Sequence, residues 1–169
     1  MNVTCEYSSE YVASLVDRSI DAKGVISVPN GIVAEHGVPV YIRMDNGPEF
    51  ISHALAAWAR EMGVTLYFID PASPWQNGKC ESINSLLRDE LLNGELFSSV
   101  TEARVLTQHY RETYNATRAH SSLGYLSPHE FLALHLSDQR TVLTQSSTVT
   151  VKSVDVFLEN IFGVLLRRC

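Results

Sequence analysis

Apolar positions alternate between short runs and helical stripes along most of this chain. Tyr11–Val16 is a strand-length apolar run closed by the turn formers Asp17-Arg18-Ser19. Residues 21–36 read as a helix starting at Asp21, with Val25, Ile26, Ile32 and Val33 as its apolar members. Pro29-Asn30-Gly31 falls inside it. An interior proline costs roughly 3 kcal/mol and a glycine about 1 more, so this helix is expected to break or fray near residue 28, before Gly37 ends it. Val40-Tyr41-Ile42 opens a second strand that stops at Asp45. Over residues 48–62, Ile51, Leu55, Trp58 and Met62 recur at the spacing of an amphipathic helix closed by Gly63. Val64–Ile69 is again strand-like. Two strands flanking one helix predict a βαβ unit with a parallel pair.

Asp70–Gly78 is rich in turn formers and reads as a loop. A helix follows from about Lys79 to Leu92, with Ile83, Leu87 and Leu91 as its core stripe and Glu81, Ser85 and Arg88 on another face. Thr101–Asn115 is a further helix, with Ala103, Leu106, Tyr110 and Tyr114 on one side. His120–Tyr125 is a loop. Ser127-Pro128 caps a short helix through Leu132, and Glu130 stands where a capping box places an acid. After Leu134 the texture changes. Residues 138–156 are rich in Thr, Ser and Val and read as strand, and 157–168 as a short amphipathic helix; no chemistry attaches to this tail.

A length of 169 residues, 45% hydrophobic and 19% charged, suits one globular core. No apolar window is long enough to span a membrane. The first residues lack the basic and apolar regions of a signal peptide, so cytoplasmic residence is expected. Cys5, Cys80 and Cys169 are scattered and odd in number, which implies reduced thiols rather than zinc or a disulfide framework. The net charge of −6 argues against a generally basic nucleic-acid-binding surface. Arg104, Arg111 and Arg118 recur seven apart, with Arg88 and His120 nearby. They form either a local basic stripe or a solvated helix face.

Candidate chemistry centres on Tyr41–Phe50. Asn46-Gly47 is a strong turn signal and Pro48 suits a first helical turn, so Asp45 ends a strand at a tight turn. Asp45 either merely opens that turn or presents a carboxylate at the strand's carboxyl end, where α/β sheets hold ligands. Glu81 begins the helix after the neighbouring strand, with thirty-five residues between the two acids. Hard divalent cations take such carboxylates together with water and substrate phosphate. A pair of such ions activates an attacking oxygen and stabilises a leaving one in phosphodiester chemistry.

Arg43–Phe50, Ser73–Asn77, Glu81–Glu90, Tyr114-Asn115 and Arg118–Tyr125 together resemble the catalytic core of insertion-sequence transposases of the retroviral-integrase type, including its D-35-E spacing. The resemblance covers roughly residues 6–133, leaving 134–169 as a divergent tail. It implies an α/β, ribonuclease-H-like three-layer fold. It also implies joining of transposon 3′-hydroxyl ends to target DNA by transesterification assisted by two Mg²⁺ or Mn²⁺ ions. Asp45 matches the second acid of the family's catalytic triad and Glu81 the third, both as metal ligands. Asn46, Gly47, Gln76, Asn77, Asn84 and Arg88 match its DNA-facing surface. Trp75 either stacks on a base or covers the sheet edge. His120 resembles a position near the DNA, or is a structural hydrogen-bonding histidine.

The family's first acid lies on its first strand, upstream of where this sequence starts, and neither Glu6, Asp17 nor Asp21 is placed to replace it. The fold is therefore expected to be incomplete, lacking the first strand and most of the second. That first strand is central, between the second and fourth, so the strand ending at Asp45 should have an open edge; Thr148–Val156 is one segment that would fill it. The expectation is an N-terminally truncated transposase remnant, frameshifted near its end and inactive alone. The alternative is a non-catalytic DNA-docking or dominant-negative partner of an intact transposase. DNA is the expected partner, with self-association or association with a full-length transposase, and no membrane.

Overall fold

The computed structural model describes residues 1–70 and 78–135. The expected strand and helix of the tail, with the edge-filling role of Thr148–Val156, lie outside these residues, as do Trp75, Gln76 and Asn77.

Among the described residues the strands form two separate pairs. β1 (Asn2–Thr4) runs antiparallel to β2 (Tyr11–Ser14), with an irregular register between Val3 and Thr4. β3 (Tyr41–Met44) runs parallel to β4 (Thr65–Phe68), pairing Tyr41 with Thr65 through Met44 with Phe68. Thus the predicted βαβ unit is present. No described strand joins β1 to β3, the boundary where the family resemblance puts a central strand.

One apolar core spans both pairs. Val3 and Val12 from the first pair, Ile42 and Met44 from the second, Val25 and Ile32 from α1 (Ala22–His36), and Leu55 and Trp58 from α2 (His53–Met62) are buried together. A smaller cluster joins Tyr11 to Ile83 of α3 (Gly78–Leu87) and Tyr114 of α4 (Val100–Thr117). A π-helical turn, Arg88–Leu92, continues α3. The last described helix is α5 (residues 128–135), and its capping box forms as predicted: the Ser127 N–H and hydroxyl each donate to Glu130 Oε2 at 2.8 Å.

Two sequence expectations fail. First, α1 runs unbroken through Pro29. Pro29 is buried between core residues Val25 and Ile32, and the Trp58 indole N–H reaches across from α2 to Asn30 Oδ1 at 2.8 Å. Burying a Val or Ile side chain is worth about 1.5–3 kcal/mol, so two of them offset the roughly 3 kcal/mol that the proline costs. Second, α2 begins at His53 rather than 48. The N–H groups of Phe50 and Ile51 both donate to the Gly47 carbonyl, making one turn around Pro48 that does not propagate. Ser52 then caps the helix by accepting from the Leu55 N–H at 3.2 Å. Ile51 falls outside the helix and is 62% exposed.

Candidate active site

Asp45 is exposed and follows the last β3 residue. Its Oδ1 accepts the Gly47 N–H at 2.9 Å, closing an Asx turn. The ladder continues past β4, because the Ile69 N–H donates to the Met44 carbonyl at 3.0 Å. Asn46 Nδ2 donates to the Ile69 carbonyl at 2.8 Å. This bond ties the loop after β3 to the loop after β4, so the Asn46 side-chain amide braces the turn. A Cβ at Gly47 would stand 2.8 Å from the Glu49 carboxylate, which folds over the turn.

Glu81 is exposed in the first turn of α3, whose opposite face buries Cys80, Ile83 and Leu87. Cys80 links the two acids electrostatically. Its thiol is pushed up to about 12, chiefly by burial, then by the Asp45 carboxylate and, less, by Glu81, with the N-terminal amine opposing. Both carboxylates therefore act on one buried sulfur. Among the described residues no three His, Cys, Asp or Glu side chains gather to hold a metal ion.

Asn84 and Arg88 are exposed and lie three and seven residues beyond Glu81, on the same side of the helix. The Asn84 Oδ1 accepts from Asn2 Nδ2 at 2.6 Å, and Asn2 Oδ1 in turn accepts the buried Tyr11 hydroxyl at 2.7 Å. This chain of bonds fastens α3 to both strands of the first pair.

Of the three spaced arginines, Arg104 is exposed and Arg111 and Arg118 are half-buried, and each is bonded to a neighbouring segment. Arg104 bonds the Val16 carbonyl at 2.8 Å and pairs with Asp17 at 2.6 Å. Arg111 donates to the Val12 carbonyl. Arg118 pairs with Glu90 at 2.8 Å on the π turn, and with the Tyr110 hydroxyl it holds the Glu90 carboxyl below its usual range. They fasten α4 to β2, the segment after it and the π turn. Asn115 adds a buried tie, accepting the Tyr11 N–H at 2.7 Å and donating to the Tyr11 carbonyl at 2.9 Å.

His120 is half-buried, its ring edge-on to Tyr114 at 5.4 Å. Burial, and then Arg118 and Lys79, lower its pKa, so it is neutral at pH 7. Among the described residues its Nε2 is buried without a hydrogen-bond partner. Sequence reasoning passed over Asn2, Lys79 and Cys80. Only the position of Lys79 and Cys80 immediately before Glu81 offered a signal.

Residues 1–74 and 62–128 each match a family described as Integrase core domain. The chain is 39% identical over 135 residues to a 31.7 kDa protein of insertion element IS407 from Burkholderia multivorans, covering 80% of this chain and 49% of that protein. It is 36% identical over 139 residues to a 39.2 kDa protein of insertion element IS476 from Xanthomonas euvesicatoria, covering 82% and 40% respectively. It thus spans about half or less of the length of these relatives. The fold resembles the crystal structure of the catalytic core domain of BIV integrase, with a TM-score of 0.55 at 22% identity, covering 78% of this chain and 81% of that one. The likeness establishes a ribonuclease-H-like α/β architecture. With two matching segments that together run from residue 1 to 128, the chain belongs to the integrase core family of insertion-sequence transposases and retroviral-type integrases.

Proposed function

We propose that this chain is the DNA-handling core of a transposase, with Asp45 and Glu81 as ligands for Mg²⁺ or Mn²⁺. The observation that carries this reading is the placement of two exposed carboxylates with thirty-five residues between them, Asp45 directly after β3 and Glu81 in the first turn of α3. Two all-oxygen side chains suit one hard cation, which completes its shell with water and substrate phosphate. When bound, such an ion supplies charge stabilisation at a phosphodiester undergoing attack by a 3′-hydroxyl. The Asx turn and the Asn46–Ile69 bond hold the Asp45 backbone. The buried Cys80, Ile83 and Leu87 fix the face from which Glu81, Asn84 and Arg88 project. Asn84 and Arg88 then meet the DNA beside Glu81, with Gly47 and His120 as further contacts.

Two-ion chemistry requires more acids than this pair, and the described residues gather no third. The 169-residue chain by itself is therefore expected not to join DNA strands. An assay of Mg²⁺-dependent strand transfer with purified chain should give no product. Product that disappears in Asp45→Ala would overturn the inactivity.

A second reading, a non-catalytic partner docking on an intact transposase or its DNA, draws on β4. Tyr67 and Phe68 are 52% and 42% exposed on a strand that, among the described residues, is paired on one side only. Such an edge invites further pairing. Co-purification with a full-length relative supports this reading, and loss of the interaction in Phe68→Lys would locate it.

A further inference from the structure

A cavity of about 200 Å³, lined by neither of the two acids, is bounded by the end of β1, the β1–β2 loop, the first turn of α3 and the turn at 120–122. Its polar lining is Thr4, Ser9, Lys79, Ser82, His120 and Ser122, beside Ile83, Tyr114 and the Cys5 thiol; Asp45 and Glu81 do not line it.

Three observations bear on its occupant. The Thr4 hydroxyl is buried, the residue being 1% exposed, and among the described residues it has no hydrogen-bond partner; the buried His120 Nε2 likewise has none. Leaving such groups bare costs about 1–3 kcal/mol each. Among the described residues the half-buried Lys79 ammonium donates to neutral groups, Ser9 Oγ at 2.9 Å and the Glu6 carbonyl, while the Glu6 carboxylate acts on it from beyond ion-pair distance. Among the described residues no carboxylate lies within ion-pair distance of it. The N-terminal end of the ten-residue helix α3 also borders the cavity and adds partial positive charge. Water alone would satisfy the hydroxyl but give the ammonium no direct anionic partner, and a cation would be repelled. A tetrahedral oxyanion meets every requirement. Its oxygens accept from the Lys79 ammonium, the Thr4, Ser82 and Ser122 hydroxyls, and a protonated His120 Nε2 of the neutral ring.

We propose that this cavity is a phosphate-binding site, formed by Lys79, Thr4, His120 and the hydroxyls of Ser82 and Ser122. Its occupant is a phosphodiester of a nucleic-acid strand or a free or terminal phosphate, which share the same chemistry. The site does not depend on the metal-ligand reading of Asp45 and Glu81.

The test is an NMR titration of the 169-residue chain with inorganic phosphate, against chloride at equal ionic strength, without metal or DNA. Saturable shifts of the Thr4, Lys79 and His120 signals are expected with phosphate and not with chloride. Lys79→Gln should weaken the apparent affinity about tenfold and Thr4→Val about fivefold, the loss of a charge-assisted and of a neutral hydrogen bond. If Lys79→Gln fails to fold, Ser122→Ala at the exposed mouth replaces it, with about a fivefold loss expected. No saturable shift, an equal response to chloride, or folded variants with unchanged affinity would overturn the site. A second titration with a short DNA duplex separates the sources. Competition with phosphate at the same signals identifies a backbone phosphodiester, and a phosphate response unaltered by saturating DNA identifies a free or terminal phosphate. A failed titration leaves the Asp45–Glu81 reading standing, because neither acid takes part.

Discussion

At Asp45 the tight turn forms and leaves the carboxylate accessible. One carboxylate oxygen closes the Asx turn with Gly47, while the group stays exposed at the end of β3. The placement of Asp45 after a strand and of Glu81 at a helix start was legible because it depends only on element type and spacing. The fate of the arginines was not: seven-residue spacing says that Arg104, Arg111 and Arg118 share a face, but not that Asp17, the Val12 carbonyl and Glu90 wait opposite. The cavity was equally hidden, since its polar members come from positions 4, 9, 79, 82, 120 and 122. His120 gives a prediction at this scale. Its folded pKa lies below its ordinary value of 6.5, so the unfolded chain binds more protons as pH falls through that range. The contribution of the neutral ring is present above pH 6.5 and is lost as pH falls through the folded pKa. The carboxylates held low, Glu90, Glu102 and Glu130, give up stability only at lower pH, below about 4.5. Urea midpoints should therefore fall from pH 7.5 toward 5, and His120→Gln should flatten that slope; an unchanged slope would contradict the assignment.

At the scale of elements, helix and strand identities were readable from periodicity, whereas continuity and boundaries depended on tertiary contacts. The interior proline of α1 is a reliable local signal overridden by burial of Val25, Pro29 and Ile32. Gly31 in the same helix has room for a methyl group, with nothing within 4 Å of where a Cβ would stand. Gly31→Ala should thus stabilise the fold by about 0.5–1 kcal/mol, seen as a higher melting temperature. Asn115→Ala should act oppositely and more strongly. It strips partners from both the N–H and the carbonyl of buried Tyr11, and a loss of about 2–5 kcal/mol is expected in chemical denaturation. A loss under about 1 kcal/mol would show that water replaces the amide.

For the whole molecule, the α/β class and the parallel pair followed from the βαβ pattern, and the sequence motifs pointed to the integrase core. The division into two strand pairs over one apolar core could be expected only through that resemblance, because it depends on which strands neighbour each other in space. This arrangement puts Asp45 on one strand pair and Glu81 on the helix packed against the other, so the candidate metal site bridges the two halves. The most direct test is Mn²⁺-induced broadening of amide NMR signals. The amides flanking Asp45 and those flanking Glu81 should broaden together, and either Asp45→Asn or Glu81→Gln should remove most of the effect at both. Broadening confined to one of the two segments, or surviving both substitutions, would contradict a shared metal site.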